Sequence, residues 1–145
     1  MTGQARAQAA VLTAPVMLDG SELPPLGEPY PTRALDAVED ALGTGDAAAM
    51  LRTWHVACLD ALGSQRWEPM LAVGDAAWRI GQATGFKIAF AAKARQAYHV
   101  ALYRAHKQGT LAGVQRVGEA FAALGDREAV EQCATIAARL GGDEE

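Results

Sequence analysis

From Thr32 onward, apolar residues recur every three or four positions, which is the spacing of one face of an α-helix. Glycines interrupt this pattern at short intervals, and glycine supplies the left-handed conformation with which many helices end. Asp46, Ser64 and Thr110 each follow such a glycine and are candidate N-caps. The pattern predicts six helices, at about residues 32–43, 46–62, 66–83, 86–108, 110–124 and 127–140.

The predicted connections contain only a few residues, so neighbouring helices must run antiparallel and pair as three hairpins. A short phrase also occurs twice. The segment 73–81 begins with Val73-Gly74-Asp75-Ala76, and the segment 117–125, which lies 44 residues later, begins with Val117-Gly118-Glu119-Ala120. Each segment ends in an aliphatic residue followed by a glycine. A fixed period with a small residue is typical of stacked helical hairpins. We therefore expect Gly74 and Gly118 to lie where two helices cross closely.

The third hairpin resembles a tetratricopeptide repeat (TPR). The stretch 117–131 has a small residue, an aromatic three positions later, a Gly-Asp turn and an alanine in the next helix: Gly118, Phe121, Gly125-Asp126 and Ala129. The second hairpin matches at Gly74 and Gly81 but has Ala77 where the aromatic belongs, and the first hairpin keeps only Gly45-Asp46. The resemblance implies an all-α domain over residues 32–140, with three hairpins stacked as a short right-handed TPR-like solenoid.

The resemblance also implies a groove lined by the first helix of each hairpin. In the second hairpin the matching positions are Glu68, Leu71, Asp75, Trp78 and Arg79, and in the third they are Ala112, Gln115, Glu119, Ala122 and Ala123. A tryptophan among mixed charges is suited to holding a peptide, because it offers a large contact area at a small entropic cost. The alternative is that Trp78 packs between hairpins. Only Arg79 is available to clamp a C-terminal carboxylate, which argues against recognition of a free C-terminus.

Charge is distributed unevenly along the chain. The net charge is −4, yet residues 76–118 hold seven basic and no acidic side chains. In the helix at 86–108, five residues fall opposite the apolar stripe: Lys93, Arg95, His99, Tyr103 and Lys107. They form either a docking surface for a protein partner with an acidic surface, or a solvated face that pairs with Asp60, Asp75 or Glu119. Nucleic acid is disfavoured because the flanking segments and the whole chain are acidic.

The two ends differ from this helical domain. Residues 1–31 contain five prolines and predict a Pro-rich, largely irregular arm, with a short helix allowed only before Ala14, and residues 141–145 predict an acidic tail. The apolar run 9–18 is too short to span a membrane and lacks the flanks of a signal peptide. With Cys58 and Cys133 interpreted as reduced core residues, we expect a cytoplasmic protein. The helix at 46–62 is apolar on most sides, so either the arm or a second copy, in a homodimer, would have to cover it.

The sequence offers few residues that could bind a metal or catalyse a reaction. His55 and Cys58 are three residues apart, and His99 and His106 share a helix face, but structural zinc needs four ligands, so we predict no metal and no cofactor. No recognised catalytic motif is present, and we predict that the chain is not an enzyme. We expect an adaptor, small chaperone or assembly factor that binds a peptide or protein. The alternative is a small-molecule- or metal-binding accessory domain of an enzyme system. An open groove with exposed Trp78 would favour the adaptor, and a closed apolar cavity with convergent polar groups would favour the alternative.

Overall fold

The computed structural model describes residues 33–143, with the side chain of Asp143 excepted. The predictions for residues 1–32, including the arm, and for residues 144–145 lie outside this range. The described part is all-α and contains no strand. Its six helices are α1 Arg33–Thr44, α2 Ala47–Ser64, α3 Trp67–Thr84, α4 Lys87–Gln108, α5 Leu111–Leu124 and α6 Arg127–Asp143.

Helix ends follow the predicted capping residues except at Ser64 and at the end of α6. Asp46 caps α2 by accepting from the backbone N–H groups of Ala48 and Ala49, and Thr110 caps α5 by accepting from that of Gly113. Ser64 is not an N-cap: it ends α2, and its hydroxyl donates to the carbonyl of Ala61 at 2.7 Å. The helix stops instead at Gln65, which takes a left-handed φ of 64°.

The last helix also differs from its prediction. α6 continues to Asp143, so residues 141–143 of the predicted acidic tail are helical. Gly141 and Gly142 cost helix propensity but do not end the helix, and neither takes the left-handed conformation that ends α3, α4 and α5 at a glycine.

α3 is the central helix of the described residues. Nine of its eighteen residues are buried, and it contacts α1, α2, α4 and α5. Its contact with α4 is the most extensive between any two helices, while α1 packs on α2 and α5 on α6. Among the described residues, α2 leaves Leu51, Val56, Leu59 and Leu62 exposed. Whether the arm or a second copy covers them stays a prediction.

The two repeated glycines lie at close helix crossings, as the repeat predicts. A Cβ atom on Gly74 would lie 2.6 Å from Cδ1 of Tyr98 in α4, and one on Gly118 would lie 3.2 Å from Cβ of Cys133 in α6. Phe121 is fully buried three residues after Gly118. The repeated phrase therefore marks where α3 meets α4 and where α5 meets α6.

Two side chains, those of Trp54 and Arg104, tie α2 to its neighbours through long-range hydrogen bonds. Trp54 is 5% exposed, and its Nε1–H donates to the carbonyl of Val73 in α3 at 2.9 Å. Arg104 in α4 donates to the carbonyls of Ala61, Leu62 and Arg66 at 3.0, 2.9 and 2.9 Å. The last carbonyls of a helix have no partner within the helix and carry its negative dipole end. Arg104 therefore caps α2 and fastens the α2–α3 connection to α4.

Gly118→Leu should lower the free energy of unfolding by about 1–3 kcal/mol, because the new side chain overpacks the crossing with α6 at Cys133. Urea unfolding measures the change. The matched control is Gly63→Leu, because a Cβ at Gly63 in α2 meets nothing within 4 Å. If both variants were as stable as the parent, the repeat would not mark a packing constraint.

Arg104→Met should lower the free energy of unfolding by about 1.5–3 kcal/mol, the contribution expected of hydrogen bonds from a charged donor. Methionine keeps the apolar stem and removes the guanidinium. The control is Arg52→Met, at an exposed side chain of α2 that makes no hydrogen bond or ion pair with residues 33–143. Thermal melts that are identical for the two variants would show that the cap contributes nothing.

Candidate functional site

A groove with a volume of about 250 Å³ lies between α3 and α5. It is open to solvent on one side. On α3, Asp75, Trp78 and Arg79 share a face because they are three and four residues apart. On α5, Ala120 and Ala123 have small side chains that leave room for the groove, and α4 contributes Tyr98. The full lining is Asp75, Trp78, Arg79, Tyr98, Ala120, Ala123 and Leu124.

Tyr98 holds one wall of this groove in place. It is 3% exposed, and its hydroxyl donates to Oδ1 of Asp75 at 2.6 Å. Its ring meets the ring of Phe121 edge-on, with 5.5 Å between centroids. Burial raises the pKa of Tyr98 well above its usual value, and the hydrogen bond to Asp75 and the carboxylate charge raise it further. The phenol therefore stays neutral and keeps donating.

Arg79 lies at the edge of the groove and forms an ion pair with Glu39 of α1. The hydrogen bond from Arg79 lowers the pKa of Glu39, and the same bond raises the pKa of Arg79. Both side chains are about half exposed, so the pair contributes little to stability. Its effect is to orient Arg79 and to neutralise its charge.

The groove contains part of the set predicted from the sequence. It brings Asp75, Trp78 and Arg79 together with Ala123, as expected. Leu71 is a core residue, only 4% exposed, and does not reach a surface. Glu68 lies in the first turn of α3, bonded to Arg66 at 3.4 Å, and does not line the groove. The remaining α5 positions, Ala112, Gln115, Glu119 and Ala122, are exposed beside it.

Sequence reasoning missed Tyr98, Ala120 and Leu124. Tyr98 falls on the apolar stripe of its helix, so the sequence pattern indicates only that Tyr98 is a core residue. Its hydroxyl becomes part of the groove because Gly74 lets the ring lie directly on α3. The two α5 residues face α3 because of how the second and third hairpins meet, which is a long-range contact without a local signal.

The basic face of α4 is divided between two neighbours. Lys93 places its Nζ 5.4 Å from the centroid of the Trp54 ring, towards α2. Arg95 donates from Nε to Oδ2 of Asp126 at 3.0 Å, towards the α5–α6 connection, and the ring of His99 lies 4.8 Å from that of Phe121. Lys93 and Arg95 are partly exposed, and His99, Tyr103 and Lys107 are exposed. Whether the five residues form a docking face stays a prediction. The partner of Arg95 is also none of the three acids named from the sequence.

Tyr103 and Lys107 form the exposed end of this face. Tyr103 is 65% exposed, and Nζ of Lys107 lies 6.0 Å from its ring centroid. Whether these residues contact a partner with an acidic surface stays a prediction.

Two further pockets lie away from the groove. One of about 160 Å³ lies between α2 and α4 and contains Cys58 beside Lys93; another, of about 430 Å³, is lined by His99 and by polar residues of α6 and the turn before it. Both cysteines are free thiols, and burial raises the pKa of each, which disfavours the reactive thiolate. Within residues 33–143, no three His, Cys, Asp or Glu side chains converge to hold a metal ion. None of the six helices is long and apolar enough to cross a membrane.

Comparisons with protein-family models, with curated proteins and with solved structures found no match to this chain.

Tyr98→Phe should change how stability depends on pH. The unfolded tyrosine ionises from about pH 10, whereas the folded one keeps its proton to higher pH. Above pH 10 the unfolded chain thus binds fewer protons than the folded chain, and stability falls as the pH rises. The parent should lose about 1.4 kcal/mol per pH unit relative to Tyr98→Phe in this window.

Urea unfolding at pH 7, 9, 10 and 11 measures this difference. At pH 7 the parent should be the more stable protein, because the variant loses the hydrogen bond to Asp75. Tyr103→Phe, which removes an exposed hydroxyl, is the control and should follow the parent at every pH. A constant difference between parent and Tyr98→Phe up to pH 11 would contradict the proposed role of the hydroxyl.

Proposed function

We propose that this chain is a non-catalytic peptide-binding module, acting as an adaptor, small chaperone or assembly factor, and that it holds a partner's peptide segment between α3 and α5. We further propose that its hairpins stack as a short TPR-like solenoid. The packing of α1 on α3 and of α3 on α5, together with the glycine crossings 44 residues apart, supports this arrangement. Two free thiols support a reducing compartment such as the cytoplasm.

The groove itself is the observation that supports binding. Most of its wall is apolar, formed by Leu124, two alanines and the rings of Trp78 and Tyr98, while Asp75 and Arg79 lie at its edge. Its volume of about 250 Å³ is smaller than the roughly 300–1,000 Å³ of a typical small-molecule site. One or two side chains of an extended segment would fill it, and the open side lets the rest of the peptide continue along the surface.

The alternative, a small-molecule- or metal-binding accessory domain, needs a closed apolar cavity in which polar groups converge. Here the groove opens to solvent, and Trp78 remains partly exposed at its wall rather than being buried between hairpins. This combination favours the peptide-binding function.

A selection from a random peptide library, displayed on phage and panned against the full chain, tests the proposal. Enriched peptides should bind the parent, and their affinity should fall about tenfold or more in Trp78→Ala, as for an interface aromatic that carries much of the binding energy. Ala123→Gln, which places a long uncharged side chain in the groove, should weaken binding similarly. Fluorescence anisotropy with labelled peptides gives the dissociation constants.

The matched control is Leu59→Ala, which removes a 70% exposed apolar side chain from α2, outside the groove. Its affinity should match that of the parent, and circular dichroism should show that all variants are folded. Enrichment of no peptide, or equal binding by the parent and both groove variants, would refute the proposal.

A further inference from the structure

The helices on the groove side of the molecule are acidic, although the longest helix is basic. α1, α3 and α5 together carry six acidic and three basic side chains, whereas α4 carries five basic and no acidic ones. Charges on one surface add up over the Debye length of about 10 Å at 0.1 M salt. Taken together, acidic side chains outnumber basic ones on α3 and α5, which line the groove, and on α1 beside α3.

The carboxylates nearest the groove are not all paired internally. Oδ1 of Asp75 accepts from Tyr98, but its other oxygen accepts no hydrogen bond from residues 33–143. Glu119 is exposed, lies one helical turn before Ala123 on the same face of α5, and has no ion-pair partner in that range. Both could accept from a cation placed at the mouth of the groove.

The bases nearby do not cancel this charge. Arg79 is already paired with Glu39. Arg116, one turn before Ala120 on α5, is exposed and has no ion-pair partner among the described residues. Together, Glu39, Asp75 and Glu119 outnumber these two arginines by three to two.

We infer that the segment held between α3 and α5 carries a lysine or arginine beside an apolar anchor side chain, and that Asp75 and Glu119 select it. This inference rests on the proposed peptide-binding function and adds the chemistry of the ligand. The apolar wall takes the anchor, and the two carboxylates take the neighbouring cation. The basic side chains of α4 repel the same ligand, so it is directed to the groove side.

Three sets of nine-residue peptides test the inference. All have the same central leucine, phenylalanine or tryptophan in a Gly/Ser background, and they differ only in carrying lysine, serine or glutamate on both sides of it. Binding to the full chain is measured by fluorescence anisotropy at 50 and 300 mM NaCl. The lysine set should bind about three- to tenfold more tightly than the serine set, as expected for one or two exposed charge pairs. The glutamate set should bind most weakly, and the differences should shrink at high salt.

Substitutions then show which groups select the ligand. Asp75→Asn with Glu119→Gln should remove the preference for lysine, measured as the ratio of the dissociation constants of the serine and lysine sets in the same variant. Glu128→Gln, which neutralises an exposed carboxylate of α6, is the control and should keep the preference. Arg116→Gln should increase it.

The outcomes separate the two proposals. If the serine or glutamate set binds as tightly as the lysine set, and Trp78→Ala abolishes that binding, the peptide-binding function stands and the inference about charge is wrong. A lysine preference that persists in the Asp75→Asn, Glu119→Gln variant also overturns the inference. If no set binds, both proposals are wrong.

Discussion

The contact of Tyr98 with Gly74 is the constraint on which the rest of the described structure depends. Because residue 74 has no side chain, the Tyr98 ring lies directly against α3 and leaves no space for a Cβ atom. From there its hydroxyl reaches Asp75 at 2.6 Å, and its edge meets Phe121 of α5. One side chain thus joins three helices and forms a wall of the groove. A larger residue at 74 would separate α3 and α4, the two helices with the most extensive contact.

The basic residues of α4 show how a charge pattern can serve the fold as well as a partner. Arg104 donates to three backbone carbonyls, so its role in the structure needs no acidic residue. Arg95 pairs with Asp126, which also caps α6 by accepting from the N–H of Ala129. These contacts explain why an acid-free stretch can lie at the centre of the domain. On the groove side acidic side chains outnumber basic ones. There, Asp75 and Glu119 have carboxylate oxygens that accept no hydrogen bond from residues 33–143.

Helix positions could be predicted closely because they depend on local properties. Apolar periodicity and capping residues place five of the six helices within about two residues of their observed ends. The errors have local and long-range causes. Ser64 looks like an N-cap, but its hydroxyl bonds back to Ala61 inside α2. The TPR-like pattern predicts Leu71 in the groove, yet Leu71 is only 4% exposed, because burial depends on which helices meet and not on helix position alone.

The sequence by itself determined the six helices, the glycine crossings at 74 and 118, and four of the groove residues. Apolar periodicity, capping residues and a repeated motif are local features that can be seen in the sequence. Only the tertiary structure decided that Leu71 is buried, that Tyr98, Ala120 and Leu124 complete the groove, and that Lys93 and Arg95 turn towards different neighbours. These features depend on contacts between residues more than twenty positions apart. A helix pattern shows which face a residue occupies, but the packing of the neighbouring hairpin determines whether that face is covered.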